Sequence, residues 1–188
     1  VSDSQTLSAQ TAAQAASTLG GAVSVQYALW QDGEIVLTGH TGTFSKTENR
    51  VLMDSDLYGI GSVSKIYTTV AVMQLAEDGK LSLDAPVTRY LKDFKMADPR
   101  YRDITVRMLL NHSSGLMGST FDSALLFDDS DPSATDQLLE RLSTQRLKAD
   151  PGAYSVYCND GFTLAELMVE AVSRQSFPTY MNQHILEP

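Results

Sequence analysis

The spacing at which apolar residues recur changes once along this chain, near residue 60, and that change limits what it can fold into. Before it, Val23, Val25, Tyr27 and Leu29 alternate with Ser24, Gln26 and Ala28, the period of two that turns successive side chains to opposite faces of a strand. Asp32-Gly33 then supplies a type I′ turn signal, and Ile35-Val36-Leu37 begins a return strand. Residues 4–19, rich in Ala, Gln and Ser, predict a helix stopped by Gly20-Gly21. A polar loop around residues 43–50 leads to a further short extended segment near Leu57-Tyr58. Beyond it Val63, Ile66, Tyr67, Val70, Met73 and Leu75 recur at helical spacing and predict a helix ending near Gly79, with these residues as its apolar face.

Helices dominate from there on. Leu81 to Phe94, interrupted by Pro86, reads as an irregular connection with one short helix, and Thr105 to Asn111 as a short capped helix. Asp136 to Leu147, Gly161 to Arg174 and Phe177 to Leu186 carry helical periodicity, and the acidic stretch from Phe127 to Pro132 reads as a surface loop. The expected class is α+β: residues 1–60 supply an N-terminal helix and strands, and residues 61–188 a mostly helical region. A two-stranded hairpin is marginal in water by itself. The pattern therefore reads as a fold whose remaining sheet strands are absent from this chain.

Composition narrows the function. With 188 residues, 43% of them hydrophobic, the chain is long enough to bury a core. Its net charge of -9 has the wrong sign for gripping phosphates, so nucleic acid is not an expected partner. No apolar stretch approaches the roughly 18 residues of a membrane helix, and Val1 reads as a mature start. His40, His112 and His184 lie far apart, and Cys158 is the only cysteine. Neither a metal site nor any other cofactor is expected.

The chemistry centres on Gly61-Ser62-Val63-Ser64-Lys65. A serine hydroxyl is a poor nucleophile until a neighbouring base takes its proton, and Ser-Lys pairs can do what Ser-His pairs do. With Ser62 at the start of a helix, Lys65 lies about one turn on and its amine can fold back to the hydroxyl. The same helix start would turn backbone N–H groups toward an oxygen that becomes negative during acyl transfer. The competing reading makes Ser62 a helix cap and Lys65 a solvated side chain.

A second motif, Tyr157-Cys158-Asn159, follows Pro151-Gly152, and between the two lies Leu109-Leu110-Asn111-His112-Ser113-Ser114-Gly115-Leu116. Together these resemble the serine β-lactamase and penicillin-binding protein superfamily, in particular its class C-like branch of D-alanyl-D-alanine carboxypeptidases, class C β-lactamases and related esterases. That branch pairs Ser-x-x-Lys with a Tyr-x-Asn placed roughly one hundred residues later. The resemblance implies a β-lactamase/transpeptidase-like fold in which Ser62 forms an acyl-enzyme and Lys65 shares its proton. It implies that Tyr157 moves protons to the leaving group and activates water, and that Asn159 binds the substrate amide. It gives His112 a structural place, hydrogen-bonding a loop beneath the site. Cys158 departs from the Ser or Ala common at its position and reads as a space-filler.

Relatives carry Lys-Thr-Gly or a variant such as His-x-Gly on a later strand, and no such motif follows Asn159 here. That strand supplies a second oxyanion N–H, and losing one such donor typically costs about 2.7–4 kcal/mol of barrier. The expectation is a serine hydrolase or acyl-transferase acting on a β-lactam, D-alanyl peptide or ester, of which this chain is an incomplete and catalytically impaired portion. A second chain or fragment could supply the missing strands. The alternative is a non-catalytic sensor or scaffold of penicillin-binding-protein type, which binds or is acylated without turnover. By analogy with relatives, the protein would work outside the cytoplasm, in the periplasm, at the cell envelope or after secretion.

Overall fold

The structure, a computed structural model, describes residues 1–118 and 134–187. They form two compact units, Val1–Gly59 and Ile60–Pro188. The expected surface loop at residues 127–132 lies outside the described residues.

In the first unit, helix α1 (Asp3–Thr18) is opened by a capping box, in which the Ser2 hydroxyl accepts from the Gln5 N–H and the Gln5 side chain accepts from the Ser2 N–H. It lies against an antiparallel hairpin of β1 (Ser24–Gln31) and β2 (Glu34–Gly42). The turn has φ +52° at Asp32 and +91° at Gly33, the two left-handed residues of a type I′ turn. The register breaks between Leu29 and Trp30, where β2 holds one extra residue. Leu57-Tyr58 forms no strand: Val51 bridges to Thr43 instead, and the chain then turns back through Asp54-Ser55. The turn is fixed by the Asp56 carboxylate, which accepts from Arg50 at 2.6 and 2.8 Å and from the Met53 N–H at 2.7 Å. A local ion pair takes the place of an apolar pairing there.

The second unit holds α2 (Ser64–Glu77), α3 (Val106–Leu110), α4 (Ala134–Ser143), α5 (Asn159–Ser173) and α6 (Phe177–Met181), the last continuing as a π turn over Asn182–Leu186. Its core joins Ala71, Val72 and Leu75 of α2 to Leu164, Ala165, Met168 and Val169 of α5, with Leu109, Leu138, Leu142 and Tyr180 from the other helices. The irregular stretch after α2 holds two 3-10 turns, Val87–Arg89 and Pro99–Asp103, and is tied down by Val87 N–H to Ile104 C=O at 2.9 Å and Arg107 N–H to Leu83 C=O at 2.8 Å. These bonds satisfy backbone groups that a loop over a core would otherwise leave unpaired.

Helix α2 corrects the sequence expectation in one respect. Its buried face is Thr68, Ala71, Val72 and Leu75, whereas Val63, Ile66, Tyr67, Val70 and Met73 are exposed, Ile66 to 64%. The helix is apolar on opposite faces. Periodicity alone cannot choose between two such faces; the partner decides, and here it is α5.

Candidate active site

Gly61, at φ +52°, turns the chain into a 3-10 turn, Gly61–Val63, that runs directly into α2. That dihedral strains residues with a Cβ. The turn leaves Ser62 exposed, with Lys65 in the first turn of α2 folding back so that its Nζ donates to Ser62 Oγ at 3.2 Å. From the other side, Tyr157 Oη lies 2.5 Å from Ser62 Oγ. Either hydroxyl can donate across that contact. Three of the four expected site residues therefore meet on one oxygen. Asn159, the fourth, is the first residue of α5, two positions beyond Tyr157.

Tyr157 arrives on a loop, and the loop is held by the segment from Asn111 to Gly118. Lys148 N–H donates to Gly115 C=O at 2.9 Å, Gly152 N–H to Ser113 C=O at 2.8 Å, Val156 N–H to His112 C=O at 3.0 Å and Asp160 N–H to Gly118 C=O at 3.2 Å. Ser155 Oγ adds a bond to Asn111 C=O at 2.8 Å. The strap needs glycine at 115: φ is +78°, and a Cβ there would stand 2.4 Å from the Ala149 carbonyl oxygen. This explains physically why His-Ser-Ser-Gly-Leu belongs with a distant Tyr-x-Asn.

Where the loop begins, Asp98 is buried and accepts from Arg100 Nη2 at 2.6 Å and from the Leu147 N–H at 3.2 Å, while Arg100 Nη1 reaches Asp150 at 2.6 Å. The Arg100 guanidinium holds the Asp98 carboxyl well below the usual carboxylate range. Sequence reasoning missed this clamp. Its one local signal is Asp98-Pro99, a capping carboxylate before a proline at the start of a 3-10 turn.

The electrostatics of the site are set by Lys65. Its hydrogen bonding lowers the Tyr157 hydroxyl below the ordinary value of 10.0, with Ser62 second and the charge of Lys65 adding to both. The ammonium also lies 5.0 Å from the Tyr157 ring centre and 5.6 Å from that of Phe162 on α5, within range of cation–π attraction. Phe162 was not expected as a site residue; its place one turn after Asn159 on the same helix face is the signal that could have found it. Cys158 is buried, its thiol pushed up by burial and donating to Gly118 C=O at 3.4 Å. Among the described residues no cluster of His, Cys, Asp or Glu could hold a metal ion.

The chain is similar to known proteins over most of its length. The beta-lactamase family model matches residues 10–188. The chain is 33% identical over 146 residues to the esterase EstB of Burkholderia gladioli, covering 72% of this chain and 36% of that protein. It is 27% identical over 150 residues to penicillin-binding protein 4 of Amycolatopsis lactamdurans, covering 79% and 38%. Among solved structures, a D-stereospecific amidohydrolase from Streptomyces sp. superposes with a TM-score of 0.80 at 27% identity, over 96% of this chain and 54% of that one. The octameric penicillin-binding protein homologue from Pyrococcus abyssi gives 0.77 at 28% identity, over 100% and 43%. The chain thus spans little more than a third of the length of these curated relatives. Its fold is β-lactamase/transpeptidase-like, and the family it joins contains an esterase and an amidohydrolase. With the family model running over nearly the whole of it, the chain belongs to the beta-lactamase family.

Proposed function

We propose that the protein carrying this chain is a serine acyl-transfer hydrolase that works through an acyl-enzyme on Ser62, with a β-lactam, a D-alanyl peptide or an ester as acyl donor. The observation that carries the reading is the 2.5 Å contact of Tyr157 Oη with a Ser62 Oγ that also accepts from Lys65 Nζ. In the forward step the Ser62 proton passes to the Tyr157 phenolate as the Oγ–C bond forms. Tyr157 then gives that proton to the departing nitrogen or oxygen. Water, deprotonated by the same phenolate, attacks the acyl ester, and Tyr157 passes that proton to Ser62 Oγ as the C–Oγ bond breaks. Lys65 keeps its proton and stabilises the phenolate, the electrostatic role suited to a fixed charge. Asn159 is assigned to the substrate amide.

Steady-state assays with nitrocefin, a D-alanyl-D-alanine peptide and a short acyl ester test the reading on the whole protein. Turnover of at least one, lost in Ser62→Ala, is expected; stoichiometric acylation without turnover would favour the sensor instead. If the donor is a cell-wall peptide, the work is done outside the cytoplasm where that polymer lies. Cell fractionation that finds the protein only in the cytosol would remove that donor.

A further inference from the structure

His112 holds the chain on both sides of Tyr157. Its carbonyl accepts from the Val156 N–H at 3.0 Å, and its Nδ1 accepts from the Cys158 N–H at 3.1 Å. The residue at the centre of this grip is therefore fixed through both of its neighbours. His112 itself sits at φ +61°, an uncommon conformation for a side chain of this size and one kept only where the surroundings over-determine it. The imidazole lies 4.7 Å from the Tyr157 ring centre and 5.2 Å from that of Phe162. Lys65 touches the same two rings. His112, Tyr157, Phe162 and Lys65 are thus one stack.

We propose that neutral His112 is the positioning residue for Tyr157, and that a proton on its imidazole breaks the grip and withdraws Tyr157 from Ser62. This rests on the acyl-transfer reading of the site. The step is one of protonation only: Nδ1 can accept from Cys158 while it carries no hydrogen, so the ring is the Nε2–H tautomer. Adding a proton to Nδ1 sets two N–H groups against each other and places a second cation in the stack with Lys65. The titratable groups around the ring are Lys65 of α2, the Tyr157 hydroxyl and Cys158 thiol of the loop and, behind Cys158, the buried Asp160 of α5. Burial lowers the imidazole below its ordinary 6.5, and the charge of Lys65 adds to it. The grip is therefore complete above that value and fails as pH falls through the lowered one.

The test is the pH dependence of acylation in the whole protein, followed with a fluorophosphonate probe, beside His112→Asn and His112→Ala. Tyr157 acting as base gives a rate that falls with one proton on the acid side. In the wild type a second proton, that of His112, should steepen the fall to about two below pH 6.5. His112→Asn keeps an acceptor near Nδ1 but does not titrate, so its profile should stay at a slope of about one. His112→Ala should lose about 100-fold in rate above pH 6.5 and converge toward the wild type as the pH falls, with circular dichroism unchanged. A second proton that persists in His112→Asn, or a His112→Ala variant as fast as wild type above pH 6.5, overturns the positioning role. No acylation of the wild type at any pH overturns instead the acyl-transfer reading beneath it.

Discussion

In the proposed mechanism Ser62, Lys65 and Tyr157 divide the labour of proton movement by distance and by charge. Lys65 stands farther from Ser62 Oγ than Tyr157 does, so in the proposed mechanism the Tyr157 phenolate is the immediate acceptor and Lys65 tunes it. Two outcomes follow. Tyr157→Phe removes the acceptor while keeping the ring, and acylation should slow by about 10²–10⁴-fold in a single-turnover assay. The pH profile should rise as Tyr157 ionises, with a midpoint below the ordinary 10.0 because Lys65 lowers it. In Lys65→Met the cause is gone, and the midpoint should move up toward that ordinary value. A midpoint that stays put would assign the limb to another group. Ser62 and Lys65 were legible in the sequence because one helical turn sets their spacing. His112 was legible as a structural histidine but not in its grip, since the bonds to residues 156 and 158 join parts of the chain that no local pattern connects.

At the scale of elements, α2 shows where periodicity runs out. Both of its faces are apolar, and of the residues the spacing picked Leu75 lies on the face that α5 covers, while Ile66, Tyr67, Val70 and Met73 are exposed. Stability measurements on this chain separate the two. Leu75→Ala, at a fully buried position, should cost about 2–5 kcal/mol in urea unfolding. Ile66→Lys should stay within about 0.5 kcal/mol; a loss as large as that of Leu75→Ala would mean that the Ile66 face is packed. The strap from Asn111 to Gly118 makes the same point for loops. Its motif was readable, but its reason, a glycine facing the Ala149 carbonyl, needed the fold. Gly115→Ala should lower the melting midpoint and slow acylation together, since the strap and the Tyr157 loop are one piece.

Across the whole molecule, the acid response belongs to its ion pairs. Asp98 and Asp56 both have folded values held down, Asp56 to about 2, by their arginines. Each contributes stability that is complete above the ordinary carboxylate value of 3.8 and is lost as pH falls through the lowered one. Asp98→Asn should move the acid unfolding midpoint to higher pH, and an unchanged midpoint would deny the clamp that role. Fold class was readable from the change of period near residue 60, the helices from their spacing, and the family from three ordered motifs. The Asp98-Arg100-Asp150 clamp was not, because its partners are brought together only by tertiary packing.

The central claim is that Ser62 is acylated. Intact-mass spectrometry of the protein after incubation with a labelled penicillin or a fluorophosphonate measures it directly. One adduct per chain, mapped to the peptide bearing Ser62 and absent from Ser62→Ala, is the result predicted; no adduct with either reagent, or one that survives in Ser62→Ala, would contradict it.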